Sequence, residues 1–360
     1  MKLTKLSLVT IVAVSAMTTT AMAEDTTVAG KAQVYYYTND ATGAGDLGSG
    51  ATSSTGTAVT LDVAHKVTDS ITANFTALGH THLGEEMGET AFEGSNAGGF
   101  FNVANLTGTF GDTTVVVGRQ LLATPMLGGF DWLLAPGAFE AGTVVNKSLE
   151  NVTLIASYVN RHRSNNGGDN FAKLKDDNYA FGAGYSDGID LNLWYYNVDA
   201  ANYTQVYADA SKTFDTVTVG LQGVNTNNDT APDATAYGAK VSGNFAGIDA
   251  SVAYNKLQDN ATNFVGADSL YTSSWNTMAS TAGSTTNDAD TYKVELSKNF
   301  GALSATASYA DYDNDADETD LILGYAAQKN LSFDAIYSNT TYPGATSDDT
   351  AVELVGTYTF

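Results

Sequence analysis

Residues 302–311, ALSATASYAD, alternate between apolar and small polar side chains. On one side of an extended chain lie the apolar members, Leu303, Ala305, Ala307 and Tyr309. On the other side lie Ser304, Thr306 and Ser308. This period of two predicts a β-strand with one apolar and one polar face. Residues 248–257 show the same pattern, with Asp249 on the polar side.

Eighteen segments of this kind follow one another along the chain, and their number is even, as in bacterial single-chain membrane barrels. Sixteen strands is the alternative count. Many segments are about ten residues long, roughly what a tilted strand needs to cross the hydrocarbon. The predicted strands are 27–37, 56–66, 70–80, 101–110, 113–119, 139–147, 152–162, 178–187, 189–198, 202–213, 216–226, 235–245, 248–257, 290–300, 302–311, 319–327, 331–339 and 350–360.

The connectors between these segments alternate between tight and long, with one exception near 199–201. Short periplasmic turns and longer extracellular loops are typical of outer-membrane barrels, whereas a soluble β-sandwich has no reason to sort its loops in this way. The four prolines lie in the long loops, where no ladder N–H is needed; they are Pro125, Pro136, Pro232 and Pro343. The predicted fold class is all-β, a transmembrane antiparallel β-barrel forming a single domain over residues 24–360.

One long connector, at about 120–138, is apolar and interrupted by proline and glycine. We expect it to fold into the barrel lumen as a constriction loop. The charged residues expected at the constriction are Arg119, Asp131, Glu140 and Arg161. Opposed acids and bases there would create a transverse field. The alternative is local pairing that fixes the loop to the wall, and the shared phase of Val115, Val117 and Arg119 also favours a rim position for Arg119.

The polar faces of the strands predict which charges line the lumen. They are Asp62, Asp249, Glu295, Asp334 and Glu353, with the bases Lys31, Lys240 and Lys293 in addition to Arg161. A base on the lipid side near mid-membrane would cost roughly 2–4 kcal/mol, which enforces the alternation. An excess of carboxylates in a narrow tube attracts cations and repels anions.

Both ends of the chain carry export signals. Residues 1–23 contain Lys2 and Lys5, an apolar run and a small-x-small site ending at Ala23, a pattern typical of a secretory signal peptide. The final segment alternates up to a terminal aromatic residue, Phe360, which predicts recognition by the barrel-assembly machinery. The expected location is the outer membrane of a Gram-negative bacterium.

The composition argues against several other functions. A formal net charge of −24 disfavours nucleic acid as a partner. The chain has no cysteine, four histidines and no Gly-x-Ser-x-Gly motif, so we expect no enzyme and no catalytic residues. Weak Ca²⁺ binding, bridging to lipopolysaccharide, is a hypothesis for Asp311, Asp313 and Asp315. Ala316 stands where an EF-hand needs glycine, and no other cofactor is expected.

Two stretches carry a family resemblance. Residues 118–142 contain GRQLLATPM followed by DWLLAP, and residues 149–163 read LENVTLIASYVNRHR. These stretches resemble the OprD-type outer-membrane porins, and most of all their campylobacterial branch. The resemblance implies passage of small solutes such as basic amino acids or peptides, and a homotrimer. The sparse lumen bases depart from a carboxylate-guiding ladder, however, and favour a general, cation-preferring pore.

The predicted function is therefore passive diffusion of small hydrophilic solutes and cations across the outer membrane. Two alternatives stay open. A surface adhesin or structural barrel with a plugged lumen would use the long polar loops 163–177 and 258–289 for binding. A soluble secreted β-protein is the other, and both the sorting of the connectors and the terminal Phe360 argue against it.

Overall fold

The computed structural model describes residues 20–23, 25–41, 45–83, 97–126, 134–164, 170–259, 269–276, 288–313, 315–342 and 347–360. Eighteen of its strands build one antiparallel barrel, and all eighteen predicted segments are confirmed. In chain order, β1 to β18 are Thr26–Asn39, Ser53–Thr68, Ile71–His82, Ala97–Phe110, Thr113–Gln120, Ala138–Asn146, Val152–Arg163, Asn178–Ser186, Asp190–Val198, Tyr203–Phe214, Val217–Asn228, Ala234–Phe245, Ile248–Asp259, Ala289–Phe300, Leu303–Asp311, Asp317–Gln328, Leu331–Thr341 and Asp349–Thr359.

The barrel closes between its first and last strands. Strand β1 pairs with β2 on one side and with β18 on the other, with Lys31 opposite Thr359. Beyond that register, the Gly30 amide donates to the Phe360 carbonyl at 2.8 Å, and the Phe360 amide donates to the Gly30 carbonyl at 3.0 Å. Closure leaves no open sheet edge, which is what a sheet in lipid requires.

The connectors are sorted by length between the two ends of the barrel, as predicted. At one end, tight turns join consecutive strands, and several contain a left-handed residue that reverses the chain in little space. Examples are Gly111 with φ +58°, Asp215 with φ +56° and Gly301 with φ +67°. The other end carries the longer connectors, of which the shortest contains a 3-10 turn at Asp199–Ala201. The tight end is periplasmic by the usual arrangement of such barrels.

The two faces of the wall differ as the alternation predicts. Apolar side chains such as Val252, Leu296 and Tyr309 point outward and are about half exposed. Their inward neighbours, such as Ala253 and Ala310, are buried. An exposed phenylalanine directly precedes each of four tight turns, at Phe110, Phe214, Phe245 and Phe300. These rings form an aromatic girdle at the periplasmic interface.

Two shorter strands extend the sheet. Thr20–Ala23 pairs with the start of β1, and Ala172–Lys173 pairs with the end of β7. Most of the predicted signal peptide, at 1–19, lies outside the described residues, so its cleavage stays a prediction. Within the described ranges, no helix is long and apolar enough to span a membrane.

Candidate pore and its inward connectors

The first inward connector, residues 121–137, is attached to the inner wall near its start. Leu122 packs in a buried cluster with Phe139, Ala141 and Val159. Met126 is buried in a second cluster on the inner wall, and its amide donates to the Tyr196 hydroxyl at 3.3 Å. The same hydroxyl donates to Thr124 Oγ1 at 3.2 Å. This part of the connector therefore lies inside the barrel, against β6 to β9.

The connector is attached again near its end, on a different part of the wall. Leu134 and Ala135 pack against inward residues of β1 to β3, namely Tyr35, Ala58 and Leu78. The Pro136 carbonyl accepts hydrogen bonds from Asn102 Nδ2 at 2.9 Å and from Arg163 Nη1 at 3.1 Å. The prediction of an inward fold is thus confirmed at both ends of the connector. Asp131 lies outside the described residues.

The second inward connector, residues 260–288, was predicted as a long outer loop, and for its described part, 269–276, that prediction is wrong. Thr272 Oγ1 lies 2.8 Å from Thr291 Oγ1 on the inner face of β14. The buried Tyr312 hydroxyl donates to the Thr272 carbonyl at 2.9 Å. The Tyr271 hydroxyl donates to the Leu221 carbonyl at 3.3 Å, and burial raises the pKa of this phenol. The sequence does contain a signal for this inward position, because three large apolar residues stand in an otherwise polar loop. They are Leu270, Tyr271 and Trp275.

Three buried carboxylates hold Trp275 and Asn276, at the end of the described part of the second connector. The Asn276 amide donates to Glu318 Oε1 at 2.7 Å, and the Trp275 amide donates to Asp320 Oδ2 at 3.2 Å. The indole Nε1 of Trp275 donates to Glu353 Oε1 at 2.6 Å. Sequence analysis predicted Glu353 as a lumen charge but missed Glu318 and Asp320, which share its inward position.

The two inward connectors also contact each other. The Ser269 hydroxyl donates to the carbonyl of Pro125, which lies in the first connector. On the wall, Lys293 Nζ donates to the Ser273 carbonyl at 2.6 Å. The lumen is therefore narrowed from two directions, by connectors that are more than a hundred residues apart in sequence.

The other predicted lumen charges lie on the inward phase of their strands. Asp62 accepts from Thr76 Oγ1 at 2.6 Å, and Glu295 pairs with Lys293 at 3.2 Å. Asp249 accepts from Asn244 Nδ2 at 2.8 Å beside the tight turn, so it belongs to the periplasmic mouth. Lys31, Lys240 and Asp334 also occupy inward positions, since they alternate with the exposed Val34, Val241 and Phe333. Asp209, which was not predicted, faces inward on β10 and accepts from Asn192 Nδ2 at 2.8 Å.

Three residues predicted for the constriction, Arg119, Glu140 and Arg161, come together on the outer face of the wall instead. Arg119 continues the outward phase of Val117, which is 59% exposed, and it pairs in register with Glu140. Glu140 lies opposite Arg161, whereas Ala141 lies opposite Val159, so the ladder is shifted by one residue. This bulge turns Arg161 from the lumen to the outside, because adding one residue reverses the facing of a strand. The outward phase of Arg119 agrees with the alternative of a rim position.

The predicted calcium residues surround an open depression of about 510 Å³ at the extracellular end, beside Ala316 and Asp317. Asp311 Oδ1 accepts a hydrogen bond from the Asp313 amide at 3.2 Å, and Asp313 and Asp315 are both left-handed. In the part of the chain that the structure describes, no three acidic or histidine side chains are placed to hold a metal ion. Weak Ca²⁺ binding by Asp311, Asp313 and Asp315 stays a prediction.

A closed eighteen-stranded antiparallel barrel with an apolar outer face is the architecture of a bacterial outer-membrane protein. Solved structures with this fold are similar to the chain over most of its length. OccAB4 from Acinetobacter baumannii is 16% identical, with 94% of this chain and 98% of that chain covered and a TM-score of 0.79. OpdK from Pseudomonas aeruginosa is also 16% identical, with 94% and 99% covered and a TM-score of 0.79.

A BenF-like porin from Pseudomonas fluorescens Pf-5 is 15% identical, with 94% of this chain and 100% of that chain covered and a TM-score of 0.79. No protein-family model and no curated protein matches the chain. At these identities the likeness establishes the fold, which is that of the OprD and Occ outer-membrane porins. Assignment to the campylobacterial branch stays a prediction.

Proposed function

We propose that this chain is an outer-membrane porin: a water-filled channel for passive diffusion of small hydrophilic solutes and ions, with a preference for cations. The observation that carries the proposal is the arrangement of two connectors folded against an inner wall rich in carboxylates. Asp62, Asp209, Asp334 and Glu295 face the lumen, and Lys293 lies 3.2 Å from Glu295. In a narrow, low-dielectric passage such carboxylates concentrate cations.

The inner wall also suits a channel of defined width. Each described part of the two connectors is attached to the wall by hydrogen bonds or buried apolar contacts, as at Met126, Leu134 and Trp275. Fixed connectors narrow the lumen to a set diameter, and this separates small solutes from large ones. The proposed solutes are therefore small, hydrophilic and neutral or cationic, and a basic amino acid belongs to this class.

Assembly into the membrane is part of the same proposal. Phe360 directly follows β18 and completes the seam with Gly30. The ring of Phe360 packs against Gly30. A Cβ at position 30 would lie only 2.5 Å from this ring, so the absence of a side chain on Gly30 leaves space for Phe360. An exposed terminal aromatic residue in this position fits recognition by the barrel-assembly machinery. A homotrimer remains the expected assembly.

The test is single-channel recording of the detergent-purified protein in a planar bilayer. Stable steps of constant conductance are the expected result. A protein that shows the heat-modifiable gel mobility of a folded barrel but never conducts would overturn the proposal.

That second outcome would favour the alternative, a structural or adhesive barrel whose lumen is plugged. The contact between Ser269 and Pro125 is the observation that keeps this alternative open, since it ties the two inward connectors together. A variant with 127–133 replaced by a short glycine and serine linker separates the two cases. Conductance gained only in that variant would identify the first connector as a plug.

A further inference from the structure

The outer wall of the barrel has a depression of about 400 Å³ near the extracellular ends of β4 to β7, which we call the rim notch. Its lining includes Ala104, Gly118 and Gly142, whose small size lowers the surface at this place. Val117 and Tyr158 flank it and are 59% and 49% exposed, on the face that contacts lipid. The notch is therefore open to the membrane rather than to the lumen.

Two backbone features bring charge to the notch. The bulge at Asn160 turns Arg161 outward, and Gly118 takes a φ of +122° just before Arg119. Glu140 then lies between the two arginines, with its Oε2 3.8 Å from Arg119 Nε and its Oε1 3.6 Å from Arg161 Nε. Bulges often serve to re-aim a side chain at a functional site.

Each guanidinium group also has a partner other than Glu140. Arg119 lies over the ring of Phe171 at 4.1 Å and donates from Nη1 to the Phe101 carbonyl at 3.1 Å. Arg161 donates from Nη1 to the Phe171 carbonyl at 3.2 Å. Their side chains are still 34% and 43% exposed. Both cations are thus held in place while part of each faces outward.

The balance of charge at the notch is positive, although the whole chain carries −24. Lys173 lies opposite Arg161 in the sheet and is exposed. Asp177 adds a second carboxylate, since its Oδ1 accepts a hydrogen bond from the Tyr158 hydroxyl at 3.2 Å, so three bases lie beside two carboxylates. Planar guanidinium groups bind phosphate oxygens through paired hydrogen bonds. Phe101 and Tyr158 mark this level as the membrane interface, where aromatic side chains concentrate and lipid headgroups lie.

We propose that the rim notch binds a phosphate-bearing lipid of the outer leaflet. Arg119 and Arg161 would hold the phosphate, and the apolar floor beside Val117 and Tyr158 would take an acyl chain. The inference rests on the barrel and its place in the outer membrane, and it does not depend on the lumen being open.

The test is native mass spectrometry of the detergent-purified barrel titrated with diphosphorylated lipid A. The double variant Arg119→Gln, Arg161→Gln is expected to bind lipid A at least about tenfold more weakly than the natural sequence. Each lost contact is a hydrogen bond between charged groups. The matched control is Lys256→Gln, another rim cation in an outward position, whose Nζ lies 2.9 Å from Asp290 and 3.9 Å from Asp288. The control is expected to bind like the natural sequence.

Further comparisons show whether the notch binds the phosphate of a lipid or a free phosphate ion. Lipid A without phosphate is expected to bind the natural sequence as weakly as diphosphorylated lipid A binds the double variant. Inorganic phosphate alone is expected to leave lipid binding unchanged; its displacement of the lipid would indicate a site for the free anion and overturn the proposal. The proposal would also be overturned if the double variant bound lipid A as tightly as the natural sequence. The same holds if the double variant lost an oligomer but its lipid binding did not change. Heat-modifiable gel mobility establishes that each variant is folded.

Discussion

At the scale of single residues, a one-residue bulge decides whether a charged side chain points into the lumen or towards the lipid. Arg161 shares its sequence phase with the buried Val159 and was predicted to face the lumen. A one-residue shift in the pairing of β6 and β7 turns it outward. A bulge of this kind leaves no mark in the hydrophobic pattern, so the sequence could not show it. Arg119 could be placed, because no shift intervenes between it and Val117.

Gly118 is the residue whose replacement we expect to be most costly in this region. Its φ is +122°, and an added Cβ would lie 2.3 Å from the Ala104 carbonyl oxygen. Gly118→Ala should lower the free energy of unfolding by about 1–3 kcal/mol, since strained backbone and a main-chain clash both oppose the side chain. The measurement is the denaturant midpoint of the barrel in lipid vesicles.

The matched control is Gly142→Ala on the neighbouring strand. Nothing lies within 4 Å of a Cβ added there, and the backbone of Gly142 is not left-handed. We expect this variant to unfold at the same denaturant concentration as the natural sequence. Equal midpoints for the two alanine variants would show that the conformation of Gly118 carries no cost.

At the scale of elements, the two inward connectors differ in how far their positions could be predicted. The first is apolar and contains Pro125 and Pro136, so water is a poor environment for it, and an inward fold followed from composition. The second is polar overall. Its attachment depends on Glu318, Asp320 and Glu353, which lie on strands far along the chain. That pairing is a property of the closed barrel and is not visible in the sequence of the connector.

Tyr312 is a suitable residue for testing what the second connector does. Its buried hydroxyl donates to the Thr272 carbonyl at 2.9 Å and, having one proton, accepts from the Ser274 hydroxyl at 2.6 Å. Tyr312→Phe leaves that carbonyl without this donor, at a cost of about 1–3 kcal/mol. We expect a looser connector and larger fluctuations of the open-channel current in single-channel records.

Tyr309→Phe provides the control for that experiment. Tyr309 lies on the same strand region but faces lipid and is 48% exposed. Its loss of a hydroxyl should leave the current fluctuations unchanged. If the two variants show the same noise as the natural sequence, the second connector does not set the width of the path.

At the scale of the whole molecule, most of the fold followed from the sequence. Alternation, the sorting of connector lengths and the loop positions of the prolines all depend on local pattern, and local pattern survives in the barrel. The strands β1 to β18 therefore lie where they were predicted, within a few residues. The charges of the lumen could be predicted only where the ladder is regular, as at Asp62 and Glu295. The contacts that attach the two connectors to the inner wall could not be predicted from the sequence, because they form between strands that meet only in the closed barrel.

The proposed preference for cations follows from where acidic and basic side chains lie on the barrel. Inward carboxylates such as Asp62, Asp209 and Asp334 occur along the wall, and the guanidinium groups of Arg119 and Arg161 lie outside it. Arg119, Arg161 and Glu140 leave the list of lumen charges together, a net loss of one positive charge, while the inward carboxylates Glu318 and Asp320 join that list. The structure therefore favours cation preference more strongly than the alternation alone.

The most direct test of the account is the reversal potential of the single channel in a KCl gradient. The account predicts a potential of the sign set by potassium, moving towards zero when Asp62 and Asp334 are both changed to asparagine. The charge-conserving control, Asp62→Glu with Asp334→Glu, should keep the natural value. A reversal potential at zero, or of the sign set by chloride, would contradict the claim that this barrel is an acid-lined, cation-preferring pore.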